Sequence, residues 1–158
     1  MRITIGIDPG ASGGIAWNKD NLVGCIAMPE SMPDLIEFFR NLIKGCNECE
    51  AWIENVPKFV GKAIPSSTTA VLFRNFGYIE GVIGTLNIRT ILVSPQEWQK
   101  HFHLGTKKDC ASTTEWKNKL KSEAMRRYPA HRITLKTSDA LLILDYALSK
   151  KGQQPVSD

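Results

Sequence analysis

The chain has 158 residues, 42% of them hydrophobic, and a formal net charge of +4. That length supports one domain with a sizeable core. No apolar run approaches the roughly 18 residues of a membrane span and no leader-like segment stands at the start, so a cytoplasmic protein with no membrane partner is expected.

The chain begins with an apolar strand over residues 2–8 that runs into an acid and a glycine-rich turn, Ile3-Thr4-Ile5-Gly6-Ile7-Asp8-Pro9-Gly10. Alternation puts Ile3, Ile5 and Ile7 on one face. Asp8 ends the strand, where a buried carboxylate is costly unless a cation or a partner compensates it. The glycines that follow turn the chain back into strands at 14–18 and 22–28, an antiparallel meander. Pro33 to Lys44 spaces Leu35, Phe38, Phe39, Leu42 and Ile43 as a helix that Gly45 stops. Ala51 to Pro57 reads as a short buried strand with Glu54 near its end and proline to close it.

Ser66 to Thr85 reads as a long helix with a start rich in Ser and Thr. Its Gly77, Gly81 and Gly84 form a stripe suited to close packing on the sheet or on a second subunit. Ile88 to Val93 is a strand, Pro95 to Phe102 a short helical turn, and Thr114 to Tyr128 a basic helix. Thr137-Ser138-Asp139 opens a last apolar helix that runs to about Ser149. Residues 1–150 are thus expected as one domain and 151–158 as a loose tail. The order predicts an α/β fold: a central mixed five-stranded sheet flanked by helices, with a meander first and crossovers after it.

Of the four cysteines, only Cys46 and Cys49 form a CxxC pair; Cys25 and Cys110 stand apart. A structural zinc site takes four ligands, so one pair without a second half reads as free thiols in a reducing compartment. The charge is segregated. Residues 98–136 hold ten Lys/Arg against three Asp/Glu, and all three histidines, while the remainder is slightly acidic. Such a segment fits a phosphate-backbone footprint, or else an ordinary solvated helix face.

Three acids lack an evident structural duty: Asp8, Glu54 and Asp139. Singly, they read as a turn cap, a strand-end surface residue and a helix N-terminal acid. If the first and fourth strands lie parallel and adjacent, and the last helix packs on them, the three converge. Converging carboxylates repel unless cations sit among them, and hard oxygen ligands select Mg²⁺, with Mn²⁺ as a substitute. Two such ions about 3.5–4 Å apart activate a water and stabilise the leaving oxygen in phosphodiester hydrolysis, with no organic cofactor.

IGIDPGASGG, IENVP and SDALLILDYAL, in that order, resemble the three acidic motifs of RuvC-type Holliday junction resolvases, closest to the branch common in bacteriophages. Gly81-Val82-Ile83, Val93 to Lys100 and Lys117 to Pro129 are similar to that branch's segment between the second and third acids. The resemblance spans roughly residues 3–149. It implies an RNase H-like fold, a homodimer and Mg²⁺-dependent paired nicking of four-way DNA junctions. Asp8, Glu54 and Asp139 would be the metal ligands, with Asp8 bridging two ions.

One departure is visible. Many relatives carry a fourth acid or a histidine one turn before the last aspartate, where this chain has Lys136, which either weakens one metal position or contacts the scissile phosphate. Asp145 lies too far round the helix from Asp139 to share its ion. Lys100, Lys107, Lys108, Lys117, Lys121 and Lys136 are candidate phosphate contacts, and Lys117 is the first choice for stabilising charge on the phosphorane. Phe59 and Phe73 are candidates to wedge or stack on junction bases, Phe73 being equally a core or dimer residue. Trp98 and Trp116 are expected to pack in the core. The competing readings are a branched-DNA-binding module with little or no cleavage and an RNase H-like ribonuclease on RNA–DNA hybrids. A sugar-kinase or actin-like ATPase shares the opening turn, but the second lobe and later phosphate loop are lacking.

Overall fold

The computed structural model describes residues 1–55 and 66–152. Five strands form one sheet in the order β3-β2-β1-β4-β5. β1 (Arg2–Asp8), β2 (Gly14–Lys19) and β3 (Leu22–Ala27) are the antiparallel meander. β4 (Glu48–Glu54) and β5 (Arg89–Val93) continue the sheet in parallel with β1. The expected mixed five-stranded sheet flanked by helices is present.

Strand parity divides the core into two layers. Ile3, Ile5 and Ile7 of β1 and Ala51 and Ile53 of β4 are fully buried beneath α1 (Met32–Leu42) and α2 (Ser66–Thr85), where they meet Phe39, Ile79 and Ile83. Each of the Ile and Phe side chains contributes roughly 1.5–3 kcal/mol of burial. The alternate residues face the other layer, which holds α3 (Pro95–His101), α4 (Thr113–Arg127) and α5 (Ser138–Lys150). Residues 140–148 of α5 are all buried, as befits a helix that is apolar all round.

The helix starts carry the expected chemistry. Ser31 accepts from the Asp34 backbone, Ser112 from Glu115, and Ser94 with Glu97 forms a reciprocal capping box. One strand boundary differs from expectation, and one of the two alternatives for the α2 glycines falls. β4 starts at Glu48, three residues early, because Arg2 and Glu48 already pair in register and extend the strand through polar residues. The glycine stripe of α2 does not pack on the sheet: a Cβ at Gly77, Gly81 or Gly84 would meet nothing within 4 Å. That helix docks instead through Ile79, Val82 and Ile83.

Lys151, placed by sequence in the loose tail, is anchored, its ammonium bonding Thr4 Oγ1 at 3.1 Å and Glu50 at 2.6 Å. All four cysteines are free thiols. Among the described residues no helix is long and apolar enough to cross a membrane.

Candidate active site

β1 and β4 run side by side with Ile7 paired to Ile53, so Asp8 and Glu54 come next at the same carboxyl edge. Parity sends both to the face opposite the isoleucines, the face that α5 covers. α5 reaches β1 closely because residue 6 is glycine. A Cβ there would lie 2.5 Å from both the Ala140 carbonyl oxygen and the Leu144 nitrogen. The helix begins at Ser138, which places Asp139 in its first turn over the same strand end. Gly13 closes the near side: a Cβ at that position would sit 2.8 Å from Asp8 Cγ.

The three acids respond to one another. Burial pushes Asp8 up to about 6, the Asp139 charge adds to that, and the Gly10 N–H and Lys117 oppose it. Burial pushes Glu54 up to about 8, with Asp8 and Asp139 adding to it, against a bond from Trp98 and the charge of Lys117. Asp139 is raised by burial and eased by the Ser138 hydroxyl and Lys117. Each acid is therefore held above the usual carboxylate range by burial and, for Asp8 and Glu54, by the neighbouring charges. Lys117 acts on all three from the exposed face of α4.

Glu54 has one further partner that sequence reasoning missed. Trp98 Nε1 donates to Glu54 Oε2 at 2.7 Å from a fully buried position in α3. Trp98 and Trp116 do pack in the core, as expected, but Trp98 also reaches the site.

A cavity of about 960 Å³ opens beside the acids between α3, the 3₁₀ turn Lys107–Asp109 and α4, with Asp139 on its wall. Lys100, Lys107, Lys108 and Lys117 line it, together with Gln96, Gln99 and His103. Gln96, Gln99 and Lys100 share one face of α3, and His103 follows just past its end with a left-handed backbone. Lys121 is part-buried on α4 and does not line the cavity. Lys136 lies elsewhere, on a separate groove with Met28, Val71 and Tyr78. Phe73 is 41% exposed on α2, so it is not a core residue. Phe59 falls outside the described residues. Asp145 is buried and held by Arg127 Nη1 at 2.8 Å and the Tyr128 hydroxyl at 3.1 Å, away from the three acids.

Among the described residues no three His, Cys, Asp or Glu side chains close round a single point as a finished metal cage. Asp8 and Glu54 are coupled electrostatically to Asp139, the one of the three that lines the cavity, without forming a cage. Their chemistry nonetheless fits a hard divalent cation: oxygen donors only, half-buried, mutually repelling, with one lysine against three carboxylates.

No protein-family model and no curated protein matches the chain. Solved structures do match. T. thermophilus RuvC in complex with a Holliday junction substrate superposes with a TM-score of 0.56 at 12% identity, over 99% of this chain and 100% of that one. A second Thermus thermophilus RuvC structure gives 0.53 at 13% identity, over 98% and 99%. The fold is RNase H-like. At such identity the likeness to RuvC speaks for architecture, and the chemistry must be argued from the residues themselves.

Proposed function

We propose that the protein is a metal-dependent endonuclease that resolves four-way DNA junctions by paired, symmetric nicks, in the manner of the phage-like branch of RuvC-type resolvases. The observation that carries this reading is the meeting of Asp8, Glu54 and Asp139 at one sheet edge, beside a cavity lined by four lysines.

Asp8, Glu54 and Asp139 would hold Mg²⁺ or Mn²⁺, two ions per site. Bound there, the ions supply Lewis acidity toward the phosphodiester and lower the pKa of water. The chain's own groups do the rest. Lys100, Lys107 and Lys108 hold the backbone of the incoming strand through its phosphates. Lys117, already within electrostatic reach of all three acids, stabilises the charge that builds on the phosphorus centre. Gly13 and Gly6 keep the Asp8 strand end and the start of α5 close enough to share one phosphate.

The pairing of nicks requires two active sites, hence a homodimer. Support comes from α2, whose glycines face open space and whose Val71, Phe73 and Tyr78 are exposed. That surface fits a second copy of the chain.

The test is a synthetic four-way junction, a linear duplex and an RNA–DNA hybrid, each incubated with purified protein in Mg²⁺ and in EDTA. Symmetric nicks confined to the junction and lost in EDTA are expected. Junction binding without nicks would leave a binding module, and cleavage restricted to RNA strands a ribonuclease; either overturns the proposal.

A further inference from the structure

We propose that Trp98 is a positioning residue for Glu54: its indole N–H fixes the carboxylate's orientation for cation binding while leaving the negative charge uncancelled. The proposal rests on the metal-binding reading of the three acids.

The fold brings the two residues together over a separation of 44 positions. Glu54 pairs with Val93 across the parallel ladder, so the chain leaves β5 beside Glu54. Ser94 then starts α3 at once through its capping box, and Pro95 occupies the first helical turn. One turn on, Trp98 reaches back to Glu54 Oε2 at 2.7 Å. Its ring is fully buried and braced edge-on by Phe102, with centroids 6.4 Å apart. A rigid side chain so packed can hold a carboxylate in one rotamer.

The same strand offers a comparison. Trp52 Nε1 donates to Glu50 Oε1, also at 2.7 Å, at the opposite end of β4. Glu50 is in addition paired with the ammonium of Lys151 at 2.6 Å and with Arg89 at 3.5 Å. Its charge is spent on those cations, and the cluster is structural. Among the described residues Glu54 has no such ion pair. An indole N–H supplies one directional bond and no charge. It therefore orients Glu54 without competing with a divalent ion, the role that outer partners of metal-ligating carboxylates commonly play.

The experiment measures cation binding directly. Mn²⁺ titration followed by EPR is applied to wild type, Trp98→Phe and a packing control, Phe102→Leu, which disturbs the same core but leaves the indole bond. Trp98→Phe should bind Mn²⁺ about 10- to 100-fold more weakly, and Phe102→Leu within about twofold of wild type. Unchanged affinity in Trp98→Phe, or an equal loss in both variants, overturns the proposal.

A second measurement on the wild-type protein guards against misfolding of the variant. In a ¹⁵N spectrum of the indoles, the Trp98 Nε1–H signal should shift on saturation with Mg²⁺ while that of Trp52 stays fixed. A motionless Trp98 signal in a protein that binds Mn²⁺ overturns the positioning role alone. A wild type that binds no Mn²⁺, or an Asp8→Asn variant that binds it as well as wild type does, overturns the metal reading and this inference with it.

Discussion

Asp8 is half-buried at the sheet edge, its charge opposed by burial and by Asp139; Glu54 is opposed by burial and by both other acids, and Asp139 by burial. Such a set is a cost to the folded chain that the proposed cation binding would offset. Two outcomes follow for Asp8→Asn. Junction cleavage should fall at least about 10³-fold, since losing a metal ligand removes several kcal/mol of transition-state stabilisation, while junction binding in gel shifts stays intact. The metal-free variant should also be more stable than wild type at pH 8, by about 2 kcal/mol in urea melts. The sign follows from the raised value: wild-type Asp8 is ionised and penalised above pH about 6, and takes up a proton below it. The gain should therefore shrink toward pH 5. Equal loss of cleavage and binding would contradict the role given to Asp8. Lys117→Ala should lower the single-turnover rate about 10²-fold with little change in binding; an unchanged rate would remove Lys117 from the chemistry. The three acids were readable because strand parity and a helix start are local signals. Trp98 read only as a packing residue because its partner lies 44 positions away and its role depends on the β4–β5 register.

Three helices each bring one group to the site: α3 brings Trp98, α4 Lys117 and α5 Asp139. A buried charge cluster ties these helices together. Asp145 of α5 holds Arg127 and Tyr128 of the α4 end, Arg127 also pairs with Glu123, and its guanidinium lies 4.7 Å over the Phe102 ring that follows α3. Arg127→Ala leaves the buried Asp145 with the Tyr128 hydroxyl but no ion pair, while Glu123 keeps Arg126, and should destabilise the fold by about 3 kcal/mol, measured by equilibrium unfolding. Gly6→Ala acts on the other side of α5. Its Cβ would overlap the helix backbone and should cost about 3 kcal/mol or more, with cleavage lost at temperatures where the variant is still folded. Element types and order were legible from periodicity and caps. The early start of β4 was not, because pairing with β1 overrides the polar character of residues 48–50. The outward turn of the α2 glycines was not legible either, since a stripe on a helix carries no sign of which surface it faces.

At the scale of the whole molecule, the sheet separates two kinds of charge. Its carboxyl edge carries the three acids, which have no ion pair among the described residues, and opens on the lysine-lined cavity. Its amino edge carries Glu50, paired with Lys151 and Arg89, which fastens the end of α5 to β1 and β4. Burial raises Glu50, but the Lys151 ammonium and the Trp52 indole outweigh it and hold it below the ordinary carboxylate range. Its contribution to stability is therefore complete near neutral pH and is lost as pH falls through that lowered value. Glu50→Gln should be less stable than wild type at pH 7, and the difference should close as pH falls below the ordinary carboxylate range. Both charge arrangements fit the proposed function: a scaffold stabilised at one end and held under electrostatic tension at the other, where the cations and DNA phosphates of that proposal would relieve it. The most direct measurement is cleavage of a supercoiled plasmid bearing an extruded cruciform. The account predicts linear product in Mg²⁺ from two nicks made within one binding event, and none in EDTA or with Asp8→Asn. Nicked circles alone, or linear product that persists in EDTA, would contradict it.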